Sequence, residues 1–266
     1  MRRSVAASLL VLACLASPFP GLAESLCPPE EETIPHLVLT LGGQELAIQL
    51  FEDAAPRTLP RIVALAEEGY YDGLVFGYTR PMVEIAITPP SEGEPIRFPM
   101  EIDAEALDLH KEKVANPGAA MDLMQEKLFK TYSENRRNGK VTERLKSWIE
   151  QWYANGRTAE FLVGVSTQQV NEALGYVYER GLASRPVARG RVILKSASPG
   201  LVTPELGILL SDVPDRDGLW MVVGEVTAGF EDAVALSKRP LLGRDSGGWF
   251  NPVEPQVIDS LRFHCK

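Results

Sequence analysis

Cysteine and histidine are scarce in this chain, three of each in 266 residues. His264 beside Cys265 has no second ligand pair at zinc spacing, so neither a metal nor a cofactor is expected. Long apolar runs are also missing: after the N-terminus no segment offers 18 uncharged apolar residues, which excludes a transmembrane anchor by the usual length criterion. Positive charge is in the minority, with 27 Lys and Arg against 36 Asp and Glu, and that balance disfavours nucleic-acid binding. No internal repeat or low-complexity tract is found. The segment Gly243-Arg244-Asp245-Ser246-Gly247-Gly248 looks like the surround of a serine-protease nucleophile. None of His36, His110 and His264 stands in the sequence context of a general base, however, and the segment reads as a Gly-rich surface loop.

What the N-terminus does contain is an export pattern. Arg2 and Arg3 precede an apolar run from Val5 to Ala16, and Gly21 and Ala23 sit at the small-residue positions before a cleavage point. Residues 1–23 therefore read as a signal peptide, and the protein as periplasmic or secreted. A twin-arginine signal or a lipid anchor at Cys14 are weaker readings of the same residues. Cleavage would remove two Arg and no acid, leaving 243 residues at a formal charge of −11. It would also leave two cysteines, Cys27 and Cys265, for which an oxidising compartment favours a disulfide over two free thiols.

Residues 24–35, with three consecutive Glu and three Pro, read as a flexible lead-in. From His36 onward strand patterns dominate. In Glu45 to Phe51 the apolar Leu46, Ile48 and Leu50 alternate with Ala47 and Gln49, the period of a half-buried strand. Thr58 is placed to cap a helix with Pro60 in its first turn, Ile62, Val63 and Ala66 facing inward and Gly69 at its end. Asp72-Gly73 then turns the chain into a further strand. Later strand patterns cover 187–194, 206–210, 219–226 and 257–263. Between the two β-rich regions the period becomes helical: apolar residues fall at 121, 124, 128 and 132, then at 141, 145, 148, 149 and 152. Ser166 and Gln169 form a capping-box pair, with Gly181 placed to close that helix. The expected organisation is one domain over 36–266, interrupted by a helical insertion at about 104–185; without the insertion the 243 residues left after cleavage come to ~160, which suits one compact unit.

Four stretches, ELAIQLFEDAAPRTLPRIVALAEEGYYDGLVF at 45–76, MEID at 100–103, RGRVILKSA at 189–197 and DGLWMVVGEVTAGFEDA at 217–233, resemble in order the cyclophilin family of peptidyl-prolyl isomerases. The resemblance implies a mainly β fold, a closed antiparallel β-barrel with flanking helices, carrying here an inserted helical segment. It also supports the Cys27–Cys265 pairing, since such barrels bring first and last strands side by side. The implied function is a prolyl cis-trans isomerase assisting protein folding outside the cytoplasm, with prolyl peptides or unfolded proteins as clients.

Amide resonance gives the prolyl bond a barrier of about 20 kcal/mol. Cyclophilins lower it with an Arg that donates to the prolyl nitrogen, an apolar pocket for the ring, and a Gln with backbone groups for the carbonyl, so that the twisted state is bound better than the planar one. The family segment FHRV-P-FM-QGGD is similar to FGYTRPMVEIAITPP at 76–90. Without a gap, Tyr78, Val83 and Ala86 fall at the Arg, Phe and Gln positions. A shift of two residues puts Arg80, Ile85 and Thr88 there. The shifted register is preferred because only Arg80 offers a charge-assisted donor. Leu206, Ile208 and Trp220 complete the expected pocket, while Gly207 replaces a pocket Phe, Asp215 a Trp, and Trp220 a His. These departures describe a degraded site and keep open a non-catalytic peptide- or partner-binding role. In that alternative the insertion, with Trp148, Trp152 and a basic stretch from Lys127 to Lys146, would carry recognition.

Overall fold

The computed structural model describes residues 25–28, 33–80, 83–88, 94–244 and 249–266; the expected signal peptide lies outside them, as do Asp245 to Gly248 of the Gly-rich loop. The strands are β1 (Pro35–Leu41), β2 (Gln44–Leu50), β3 (Val75–Arg80), β4 (Glu84–Ile87), β5 (Phe98–Pro99), β6 (Arg191–Ser198), β7 (Leu201–Leu209), β8 (Met221–Ala228), β9 (Leu241–Arg244), β10 (Phe250–Pro252), β11 (Gln256–Val257) and β12 (Ser260–Cys265). All their pairings are antiparallel, in the order β12-β1-β2-β8-β6-β7-β4-β3-β10-β9, with β11 also on β3 and β5 also on β7.

This corrects the expectation of a closed barrel, because the ladder is open: among the described residues β12 and β9 are its ends. The chain spans the seam instead. Gln256 and Val257 pair with Phe76 and Val75 of β3, and β12 pairs with β1 from Ser260 onward. Between them Ile258 exchanges backbone hydrogen bonds with Gly73 and Leu74, and the Asp259 N–H donates to Thr40. Too few residues separate the two pairings for a continuous strand to form, so single hydrogen bonds close the wall.

The inward face follows strand alternation. Leu37, Leu39 and Leu41 of β1, Leu46, Ile48 and Leu50 of β2, Val192 and Leu194 of β6, and Met221 and Val223 of β8 share one buried core, as a period of two requires. Helix α1 (Leu59–Glu67) covers it with Leu59, Ile62 and Ala66, Val63 being only partly buried. Thr58 stands at its N-cap without capping it. The Arg57 and Thr58 N–H groups instead donate to the buried Glu101 carboxylate at 3.0 and 2.7 Å, which supplies the negative charge a helix N-terminus favours. That explains MEID at 100–103: it brings a carboxylate to the helix from 43 residues away.

Five helical elements build a second core: α2 (Pro117–Asp122), a π-helical segment (Leu123–Phe129), α3 (Lys130–Asn135), α4 (Glu143–Ala154) and α5 (Thr167–Ala173). Met124, Leu128, Leu145, Ile149, Leu162 and Val170 are buried in it. Trp152 is buried there too, and Trp148 packs against it, so these indoles face the helices' own core. Thr142 caps α4, accepting from the Leu145 N–H at 3.1 Å, and the Ser166–Gln169 capping box is formed. Gly181 does not close α5. The helix stops at Ala173, and the Gly181 N–H donates to Asp103 at 2.7 Å. A last helix, α6 (Phe230–Ser237), follows β8.

Cys27 and Cys265 form a disulfide with a Cα–Cα distance of 5.7 Å. It ties the chain before β1 to the end of β12, the strand beside β1.

Candidate functional site

In the β3–β4 hairpin Arg80 pairs with Glu84, Thr79 with Ile85 and Tyr78 with Ala86. On its other side β4 meets β7, with Ile85 opposite Ile208 and Ala86 opposite Gly207. Alternation then assigns the faces. Ile85, Leu206 and Ile208 all belong to the barrel core, each at most 3% exposed. They do not line a surface pocket. A two-residue shift preserves strand parity, but Val83 lies in the turn before β4, where parity does not apply, whereas Ile85 lies inside the strand and is bound by it.

Val83 is half-buried, its N–H donating to Arg80 at 3.0 Å and its carbonyl accepting from Leu210 at 2.8 Å. Thr88 is half-buried just beyond β4, with its N–H on the Val75 carbonyl at 2.7 Å. Trp220 packs against a third apolar cluster of Phe51, Ala54, Val187, Ile193, Leu209 and Val222, with the Arg216 guanidinium 5.5 Å from its ring centre. The opposite face of β4, β7 and β6 is thus where the expected residues Arg80 and Trp220 have their surroundings.

Its centre is a charged cluster that sequence reasoning missed. The Glu84 side chain is fully buried, with Oε1 3.7 Å from Lys195 Nζ on β6. Arg80 and Lys195 both stack on Trp249, at 4.4 and 3.5 Å from the ring centre. Trp249 arrives because β10 pairs with β3, Phe250 opposite Thr79. No local pattern announces these contacts, since the partners lie 54 to 169 residues apart. Gly207 is legible only in this setting: a Cβ there would stand 2.6 Å from Glu84 Oε1 and 3.1 Å from Ile193 Cγ1. A carboxylate occupies the room that the family resemblance assigns to a pocket Phe.

Burial pushes the Glu84 carboxyl up to about 7, against the pull of Lys195, Arg80 and Arg216. Burial lowers Lys195, opposed by Glu84 and Glu205. For Glu84 the folded state binds the proton more tightly than the unfolded one, whose ordinary value is near 4.5. The stability gained from holding this proton is therefore fully present below about pH 4.5 and is lost as pH rises through about 7, a change of about 3 kcal/mol; the packing and ion-pair contacts of the side chain are separate from it. Lys195 has its window at higher pH. Urea unfolding of the wild type and Glu84→Gln between pH 4.5 and 8 checks this: the difference should favour the wild type progressively less as pH rises. A pH-independent difference would remove Glu84 as the titrating group.

The helical layer docks beside this cluster. Tyr178 Oη donates to the Gly218 carbonyl at 3.1 Å. Gly218 has φ +75°, and a Cβ there would run into Leu109 and Tyr178, so only glycine allows the loop to approach so closely. From the π-helical segment, Lys127 Nζ donates to Asn171 Oδ1 at 3.4 Å. Lys127 is pushed down by burial and then by the Arg216 charge. Among the described residues no group of three or more His, Cys, Asp or Glu is arranged to hold a metal, and no helix is long and apolar enough to cross a membrane.

The mainly antiparallel sheet with its flanking helices matches the cyclophilin-type fold. Two solved structures of a cyclophilin-type peptidyl-prolyl cis-trans isomerase from Cryptosporidium parvum, one determined with the dipeptide Ala-Pro, align with TM-scores of 0.50 at 14% identity. They cover 88% and 87% of this chain and 99% of each neighbour. A Streptococcus pyogenes serotype M6 protein, described provisionally as a bifunctional phosphatase/peptidyl-prolyl cis-trans isomerase, is 38% identical over 47 residues. That match spans 18% of this chain and only 10% of the relative's length. No protein-family model matches.

Proposed function

We propose that the protein is a cyclophilin-type peptidyl-prolyl isomerase that assists folding of exported proteins through a reduced active site. The observation that carries this reading is Arg80, held at the β3–β4 hairpin with its guanidinium against the Trp249 ring. Stacking orients the guanidinium plane. Arg80 is then suited to donate to a prolyl nitrogen as it pyramidalises, an interaction stronger in the twisted state than in the planar one. Trp249 supplies an aromatic wall where Gly207 and Asp215 lack one, and Val83 and Thr88 flank the hairpin. Tyr78 remains the donor of the unshifted register. Clients are prolyl peptides or unfolded chains. The export pattern of residues 1–23 and the Cys27–Cys265 bond support a periplasmic or secreted location, and the acidic balance supports a protein rather than a nucleic-acid partner.

One observation favours a second reading, a non-catalytic binding platform. The buried Glu84 stands where any side chain at position 207 would begin, so the pocket wall that the resemblance assigns to that position is missing. A proline-limited refolding assay separates the two. The wild type should accelerate the slow phase and Arg80→Ala should lose about 100-fold of that catalysis, the scale of one removed donor. Peptide binding without acceleration at any enzyme concentration would leave the platform; full activity in Arg80→Ala would move the donor role to Tyr78.

A further inference from the structure

Outside the Arg80 face, the helical layer carries an open cleft of about 540 Å3, a volume with room for several residues of chain. It is lined by His110 and Lys113 of the loop before α2, Arg144 of α4, and Gln168, Gln169 and Glu172 of α5. Backbone bonds make this framework rigid. The Val114 N–H donates to Val165 at 2.9 Å, the Gly164 N–H to Val114 at 2.9 Å, the Thr167 N–H to Glu112 at 2.8 Å and the Gln168 N–H to Leu109 at 3.1 Å. The Thr142 hydroxyl ties the start of α4 to the end of α5 by donating to the Ala173 carbonyl. Together with the Ser166–Gln169 box, these bonds use the N–H groups at the start of α5, so the cleft has to bind with side chains.

Those side chains hold more free donors than acceptors. Glu172, the acid in the lining, is engaged at both oxygens: Arg144 Nη1 donates to one at 2.7 Å and Gln168 Nε2 to the other at 2.9 Å. Gln169 Oε1 accepts from the Ser166 N–H at 3.0 Å, which leaves its amide nitrogen as a donor. On the neighbouring loop Asp108 is paired with Lys111 at 2.7 Å, and Glu112 is not part of the lining. The Lys113 ammonium makes no hydrogen bond or ion pair among the described residues. Lys113, the remaining Arg144 N–H groups and the Gln169 amide therefore face the cleft against one spare acceptor, the Gln168 amide oxygen.

We propose that this cleft binds an acidic peptide segment, whose carboxylates are held by Lys113 and Arg144. Charge complementarity carries the choice: two cations and an amide donor beside an acid that is already satisfied suit a ligand with several anionic oxygens. The volume suits a length of chain better than a lone ion. The site is separate from the Arg80 face and holds whether or not that face isomerises prolyl bonds. It also gives the helical insertion a recognition role for which Trp148 and Trp152, packed in their own core, are not available.

Two end-blocked hexapeptides, one of alternating Glu and Ala and one of alternating Gln and Ala, test this by calorimetric titration into the full mature chain at pH 7.5. The Glu peptide should bind about tenfold tighter, the scale of a charge-assisted hydrogen bond, and the difference should shrink as salt rises from 50 to 300 mM. Lys113→Gln and Arg144→Gln should each bring the two peptides to within about twofold of each other. Glu172→Gln removes the cleft's own negative charge and should tighten the Glu peptide about threefold, a gain that a disrupted cleft would not give. Lys130→Gln, on α3 outside the lining, should change nothing. Equal affinity for the two peptides, no binding of the Glu peptide, or a preference that survives both Lys113→Gln and Arg144→Gln would overturn the proposal. Binding of inorganic phosphate with neither peptide bound would also overturn it and make the cleft a small-anion site.

Discussion

Glu84→Ala is expected to destabilise the protein by about 3–5 kcal/mol at pH 8, the scale for removing one partner of a buried ion pair. The cost has two sources. Lys195, mostly buried, would lose one of the two carboxylates that act on it, Glu84 and Glu205, while still facing the Arg80 charge. The space over Gly207 would also open beside Ile193. The second source predicts a coupling. Gly207→Ala alone should cost about 1–3 kcal/mol, because its Cβ has no room. In the Glu84→Ala background it should be close to neutral. Urea midpoints with unchanged slopes for the two single variants and the double variant measure this cycle. Additive costs would mean that Glu84 does not occupy the Gly207 space in solution.

Removing the Cys27–Cys265 bond is the second large effect. The bond links residues 238 apart, and in the chain-entropy account a loop of that length is worth at most about 5–6 kcal/mol. Natively it adds little strain-bearing structure of its own. Ile34 and Lys266 already exchange backbone hydrogen bonds, and β1 and β12 remain paired along six residue positions. The loss should therefore act on the unfolded chain and leave the fold intact. Cys27→Ser, Cys265→Ser and the reduced wild type should share one lowered urea midpoint with near-native circular dichroism. Coincident midpoints for the oxidised and reduced wild type would show that the bond contributes nothing. The same comparison bears on location, since a protein leaning on this bond needs an oxidising compartment.

Much of the barrel was legible along the chain, because local chemistry writes it there. Leu46, Ile48 and Leu50 alternate as a strand must, the Ser166–Gln169 box closes as its spacing requires, and a disulfide follows from two cysteines in an oxidising setting. The site was less legible. A register shift judged on residue type placed Ile85, Leu206 and Ile208 in a pocket, when the strands that hold them turn them into the core. Thr58 had the composition of a cap, but Glu101 took the role from another part of the chain.

The sequence by itself determined the alternation of the strands, the positions of most helices, the acidic surface and the candidate donor Arg80. Only the tertiary structure decided what surrounds that donor. Glu84 meets Lys195, and Trp249 covers both Arg80 and Lys195, through pairings between residues up to 169 positions apart. Such contacts depend on which strands become neighbours, which is a property of the assembled sheet, whereas caps and alternation depend on residues within a few positions of one another. A carboxylate above Gly207, in place of an aromatic ring, exists only once β4, β6 and β7 lie side by side.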